Sequence, residues 1–337
     1  NRKVDYLFVR IQAGFSIFYK IQLYYNESER EHMIIDCHCD ALMKMWSRAL
    51  SFENANDLAV NYERWMQSNV KVQSFAIFVP HEIPPDKKYK AALQMVELFY
   101  EKILQPHPHI RLILSKNDIL KLKDHEKGAI LTLEGVDCIG ENLQRLELLI
   151  DLGVRMVGLS WNYRNAAVDG ISEPENRGLT PFGKSVVQYL NERNIWIDVS
   201  HISHQGFDDV LQYGKYPIAS HSNVYAITPH ERNLHDYQIK TMIEKKALIG
   251  ITYVSYFLTT ENKAYLTDVI AHIQYLIDLG AENHIVIGSD FDGTQHMVEE
   301  IPTIDKTAKL IDRLNECFEE STVKKICSDN FLRHFPL

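Results

Sequence analysis

The stretch Ile34-Ile35-Asp36-Cys37-His38-Cys39-Asp40 decides how the whole chain is read. Two β-branched apolar residues run directly into alternating acid and imidazole, so a buried-type strand delivers ionisable groups at its carboxyl end. Alternate side chains of a strand share a face, which predicts Asp36, His38 and Asp40 on one side and Cys37 with Cys39 on the other. Imidazole nitrogen and carboxylate oxygen at this spacing suit one divalent ion such as zinc. Unpaired carboxylates in an apolar strand are otherwise costly. The competing reading is a metal-free hydrogen-bond cluster at a barrel mouth. For the two cysteines, inert packing is a simpler reading than thiolate ligation, because no second cysteine pair accompanies them.

Working outward, residues 71–79, 129–133, 153–159, 195–199, 216–219, 247–252 and 285–289 repeat the short β-branched or apolar run, and with 33–37 they make eight. Helical patterns fill the intervals at 87–104, 141–152, 180–193, 205–213, 234–245 and 262–279, with apolar residues at three- and four-residue spacing. Thr180-Pro181 is a helix start, with Thr as N-cap and Pro at the first helical position. A length of 337 residues allows two small domains or one large barrel. Without a linker, a repeat or a low-complexity tract, uniform βα alternation predicts an α/β fold, a single-domain (β/α)8 TIM-type barrel over 33–337. An open doubly wound sheet is the alternative.

Residues 1–32 read as a short N-terminal extension. Its aromatic stretch from Tyr6 to Tyr25 is broken by Arg10, Gln12, Lys20 and Gln22, too polar for a membrane span, and it lacks the apolar core of a secretory leader. Met33, just before the first strand, is a candidate start. The end at Arg333-His334-Phe335-Pro336-Leu337 has no lipid-anchor signal. A net charge of −9 argues against nucleic acid or an anionic membrane as partner and leaves a small molecule or another protein. Five cysteines, odd and sparse, argue against a disulfide framework and for a reducing, cytoplasmic location. Fifteen histidines are a surplus for this length and direct attention to metal sites.

Other strand ends carry similar groups. Leu131-Thr132-Leu133-Glu134 ends in a lone carboxylate, able to bridge two metals or to serve as an ordinary satisfied group. His201 follows the run at 195–199 and His221 the run at 216–219, equivalent places suited to a second ion or to structural roles. Asp198 is a candidate for orienting an imidazole, and His204 belongs to the next helix start. Gly288-Ser289-Asp290-Phe291-Asp292-Gly293 brings Asp290 to the same rim as a general base and then general acid, while Asp292 reads as a turn cap. Arg232, within Pro229-His230-Glu231-Arg232-Asn233-Leu234, either grips a substrate carboxylate or lies in solvent. In a barrel these ends converge on one face, where two metals sharing a hydroxide of lowered pKa give hydrolysis of an acyl or phosphoryl centre.

Taken together, Asp36-Cys37-His38-Cys39-Asp40, Leu133-Glu134-Gly135, Val199-Ser200-His201, Ser220-His221-Ser222, Arg232-Asn233-Leu234 and Gly288 to Gly293 resemble the membrane (renal) dipeptidase family of zinc metallopeptidases, in a microbial-type member. The resemblance spans roughly residues 33–335. It implies a (β/α)8 barrel with two zinc ions per chain, cleaving dipeptides by attack of a metal-bridging hydroxide on the scissile carbonyl, including some with a carboxyl-terminal D-residue. It further implies that His38 and Asp40 hold one zinc, Glu134 bridges, and His201 with His221 hold the other. Asp290 would then shuttle the proton and Arg232 bind the dipeptide carboxylate. A homodimer is a family-level expectation.

One motif departs from the family. Many members place a substrate-contacting His after the fourth strand, where Gly158-Leu159-Ser160-Trp161-Asn162-Tyr163 sets Trp161, expected here to line the pocket. Two other classes compete: a binuclear barrel hydrolase of a cyclic amide, lactone or phosphoester, and a metal-binding structural protein. Many of the former begin with His-x-His and use a carboxylated Lys as the bridge, unlike Asp36-x-His38-x-Asp40 and Glu134.

Overall fold

The computed structural model describes residues 33–336 and, as backbone strands, Asp5–Phe8 and Lys20–Leu23. Those two strands pair antiparallel. Apart from them, the expected 1–32 extension lies outside the described residues.

Eight strands follow in parallel: β1 (Ile34–Asp36), β2 (Val70–Phe78), β3 (Lys127–Glu134), β4 (Val154–Gly158), β5 (Trp196–Asp198), β6 (Pro217–Ala219), β7 (Leu248–Ile251) and β8 (Ile285–Ile287). Each coincides with one of the eight apolar runs. Ile287 of β8 pairs with Asp36 of β1, which closes the sheet into a barrel. One further strand, Ile110–Leu112, was not legible as a run. It pairs with the start of β3 (Ile110 with Lys127), and β4 takes over the same edge at Leu131.

Periodicity then sorts the side chains. Ile35, Val72, Ile130, Met156, Trp196, Ile218, Leu248 and Val286, one from each strand, form a single apolar cluster, and contact among all eight strands is possible only inside the barrel. Phe331 and Phe335 of the carboxyl-terminal segment close this floor against Trp196, at ring separations of 4.8 and 4.6 Å. Neighbours of opposite parity, such as Ile34, Leu131, Ile197 and Ile249, pack outward in the larger cluster that contains the helical side chains.

The helices occupy the predicted intervals. Thr180 caps Pro181–Glu192, its Oγ1 accepting from the Gly183 amide at 3.0 Å, and His204 opens His204–Tyr213. Among the described residues no helix is long and apolar enough to cross a membrane.

Candidate metal centre

All five proposed ligands arrive at the carboxyl-end mouth because each lies at or just past a strand end. Glu134 is the last residue of β3, His38 and Asp40 follow β1, and His201 and His221 follow β5 and β6. Glu134 occupies the centre. Its Oε1 lies 3.0 Å from His201 Nε2 and 3.7 Å from His221 Nε2, while its Oε2 lies 3.6 Å from His38 Nε2. On the far side His38 Nε2 is 3.4 Å from Asp40 Oδ2 and 3.9 Å from Asp290 Oδ1. His201 and Asp290 both adopt left-handed backbone, φ 66° and 64°, a conformation costing on the order of 1–3 kcal/mol for a non-glycine residue. Hydrogen bonds hold them there: the Ile171 amide donates to His201 O at 2.7 Å, and the Asp290 amide to His38 O at 3.2 Å. Gly293 lacks a side chain where a Cβ would press on both Asp290 and Asp40.

The ionisation pattern records the crowding. Burial pushes Glu134 well above the usual carboxylate range, with the Asp40 charge adding to this and His38 opposing it. Burial likewise carries Asp290 up to about 8, opposed by His38 and reinforced by Asp40. For His38 burial acts downward, but the carboxylates of Glu134, Asp40 and Asp290 raise it to about 10. Burial holds His201 and His221 well below the ordinary imidazole value, helped by the nearby charges of Arg232 and His38. Burial thus favours the neutral forms of Glu134, Asp290, His201 and His221 around a charged His38.

Tautomers sharpen the point. His201 Nδ1 is 2.6 Å from Asn162 Oδ1, an acceptor, so its proton sits on Nδ1 and Nε2 keeps a lone pair. His221 Nδ1 is 2.7 Å from Ser220 Oγ, whose hydroxyl donates to Asp198 Oδ2, so Ser220 accepts from His221 and leaves its Nε2 bare too. Those two bare nitrogens face one another at 2.9 Å, beside a carboxylate oxygen. Two acceptors at that distance repel unless a proton, such as that of a neutral Glu134, or a metal ion lies with them. In the other half, His38 Nε2 and Asp40 Oδ1 are buried without a hydrogen-bond partner, and atoms of His38, Asp40 and Asp290 all fall within 4.8 Å of one another. Nitrogen and carboxylate donors of this kind fit divalent ions.

Two flanking residues frame the cluster. Arg232 is buried rather than exposed: its Nη2 donates to His221 O at 3.2 Å, its Nε has no partner, and its guanidinium lies 5.5 Å from the centre of the Phe257 ring. Trp161 is half-buried and packs against Phe78 and His201, at ring separations of 5.1 and 5.9 Å.

Three expectations are corrected. β1 ends at Asp36, so alternation stops there, and Asp36 accepts the His38 and Ser289 amides instead of joining His38 and Asp40. For the same reason Cys37 and Cys39 do not share a side: Cys37 packs in the barrel floor cluster and Cys39 in the outer one, both as free buried thiols. Asp292 is no turn cap. It accepts from the Ala59 and Val60 amides and from Lys44 Nζ, pinning the β8 loop to the loop before Tyr62–Gln67. The contacts of Asn162 and Ser220 were missed, although a ligand imidazole always needs a partner for its second nitrogen.

An eight-stranded parallel barrel with cation donors gathered at its carboxyl-end mouth places the chain among barrel metallohydrolases. More specifically, the chain belongs to the membrane dipeptidase family, since the family model Membrane dipeptidase (Peptidase family M19) matches residues 25–336. It is accordingly a metal-dependent hydrolase of the metallopeptidase class. An uncharacterized protein in the pqqA 5' region of Klebsiella pneumoniae is 28% identical over 253 residues, covering 71% of this chain and 93% of that protein. Among solved structures, the metallopeptidase dipeptidase AC superposes with a TM-score of 0.84 at 24% identity, over 90% of this chain and 98% of its own. A metallopeptidase from Rhodobacter sphaeroides, liganded with a phosphinate mimic of the dipeptide L-Ala-D-Ala, gives 0.84 at 23% identity over the same shares. These structural likenesses establish the fold.

Proposed function

We propose that this chain hydrolyses dipeptides at a pair of zinc ions, one held by His38 and Asp40, the other by His201 and His221, with Glu134 shared between them. The observation that carries this is the opposed pair of imidazole nitrogens beside the Glu134 carboxyl, buried lone pairs that a divalent ion would bind together. When bound there, such ions would lower the pKa of a water molecule and polarise a carbonyl.

The protein supplies the rest. Arg232, dehydrated and with a free Nε, takes the carboxylate of the carboxyl-terminal residue. That contact measures substrate length, because a longer peptide has no free carboxylate at that distance from the scissile bond. Asp290, 3.9 Å from His38 Nε2 at the rim of the cluster, accepts the proton of the attacking water and delivers it to the leaving amine. Trp161 lines the pocket. The reading extends to a carboxyl-terminal D-residue, supported by the L-Ala-D-Ala mimic bound to the Rhodobacter sphaeroides neighbour. A cytoplasmic homodimer is the accompanying proposal, read out by cell fractionation and sedimentation.

The test is release of amino acids from a panel of L,L- and L,D-dipeptides by the purified, zinc-supplemented protein. Turnover that disappears on chelation and returns with zinc is the expected result. Inert dipeptides alongside an active lactone or phosphoester would transfer the chain to the other class of barrel hydrolase.

A further inference from the structure

Four aromatic rings touch one another on one side of the mouth. Trp161 packs on Phe78 at 5.1 Å, on His81 at 5.9 Å in a stacked arrangement and on Tyr163 at 5.5 Å, and His81 meets Tyr163 at 4.6 Å. Rings recruited only for packing are normally buried. Here the Tyr163 residue is 44% exposed and the His81 side chain 48%. Ring faces held together yet left half in water are apolar area that a ligand can still dehydrate.

Topology says which part of a dipeptide reaches them. Phe78 ends β2 and pairs with Glu134, His81 follows it, and Trp161 with Tyr163 follow β4, so the wall arches over the end of β3. Arg232 follows β6, three strands round the eight-stranded barrel from β3, and its Nη2 donates to His221 O at 3.2 Å, whereas the wall meets the cluster at His201, 5.9 Å from the Trp161 ring. A dipeptide whose carboxylate lies at Arg232 and whose scissile carbonyl lies over the ligand cluster has only its amino-terminal residue left to extend toward β2–β4.

Resting on the dipeptidase reading above, we propose that Phe78, His81, Trp161 and Tyr163 form a specificity wall for the amino-terminal side chain, selecting uncharged aromatic residues. For a cationic side chain the adjacent carboxylate, Glu82, is 69% exposed and already lies 3.4 Å from His81 Nδ1, which makes it a solvent-screened partner. Such a head exchanges its hydration mainly for ring faces. An aromatic side chain loses no hydration of that kind and covers the whole wall.

The experiment compares dipeptides with a fixed carboxyl-terminal residue and Ala, Leu, Lys, Phe or Trp at the amino terminus. For the zinc-loaded wild type, kcat/KM for Phe over Ala is expected to be about 10- to 100-fold, the size of burying one such ring. In Trp161→Ala and in Tyr163→Ala this ratio falls to within about threefold of unity, whatever happens to absolute turnover. The same ratio is read as Kd by calorimetry on zinc-loaded Asp290→Asn, so the wall is tested even without catalysis. A flat ratio in wild type, a preference for Lys, or a ratio unchanged in both variants overturns the proposal while leaving a dipeptidase in place. Aromatic-selective binding with no cleavage by wild type would instead overturn the dipeptidase reading and leave the wall standing.

Discussion

At the amino ends of the eight strands, Ile35, Val72, Ile130, Met156, Trp196, Ile218, Leu248 and Val286 close into one apolar layer. Beside them Lys127 Nζ donates to the Ser68 and Val70 carbonyls at 2.8 Å each. A few residues further along the same strands, Glu134, His201 and His221 set acceptor against acceptor, and His201 and Asp290 hold left-handed backbone. One end is dominated by apolar packing, and the other gathers ionisable groups that a cation would pair. The difference shows how a barrel separates stability from chemistry: the floor carries the folding free energy that allows the mouth to remain strained.

Substitutions at the two ends should therefore fail in opposite ways. Glu134→Gln is expected to lower kcat/KM for a dipeptide by at least about a thousandfold, roughly 4 kcal/mol of barrel-mouth function. Without metal the same variant should be more stable than wild type, by about 1 kcal/mol, because a buried carboxylate whose ionisation is opposed by burial has been neutralised. Urea titration in chelator reads that gain, and a loss of stability would break the contrast. At the floor, Trp196→Ala should cost about 3–5 kcal/mol of stability, while kcat/KM of the folded fraction stays within about threefold. A selective loss of turnover there would show that the two ends are not separate.

Lys127 sharpens the floor side through pH. Burial lowers its pKa from 10.5 to about 7, with Lys71 adding to the effect. Between those values the unfolded chain binds the proton and the native chain does not, so unfolding free energy rises with pH across that window and the lysine's penalty is fully present below about 7. Chelated wild type minus Lys127→Met should show this rise, of up to about 5 kcal/mol. A flat difference from pH 7 to 10 would mean that the two carbonyls hold the ammonium form at no cost. The smallest effect belongs to Asn162. Its loss in Asn162→Ala frees His201 Nδ1, and zinc affinity of the weaker-held ion should drop about 10- to 100-fold in a chelator competition, with Asn162→Asp restoring it.

Most of the barrel was legible because its strands are dense in β-branched residues and stop at polar ones. Ile110–Leu112 was not, since three residues beside a long neighbour carry no periodic signal. The candidate donors His38, Asp40, Glu134, His201 and His221, which the fold brings to one mouth, could be picked out for the same reason that the strands could: each stands where an apolar run ends. Their supports were not. Asn162 and Ser220 reach imidazoles only through the way loops fold over the mouth, and a short polar residue in a loop looks like any other. Arg232 shows the limit most clearly. Its loop sequence suited exposure as well as burial, and only the packing over Phe257 and the bond to His221 O decide between them. The error at Asp36 came from extending strand alternation past the point where β1 stops.

The central claim is that the conflict in the mouth exists to be resolved by two cations on either side of Glu134. Anomalous diffraction at the zinc edge, on crystals of the zinc-loaded protein, tests it most directly. Two peaks are predicted, one in reach of His38 and Asp40 and the other in reach of His201 and His221, with Glu134 between them. A mouth without zinc peaks, in a protein that still cleaves dipeptides, would contradict it.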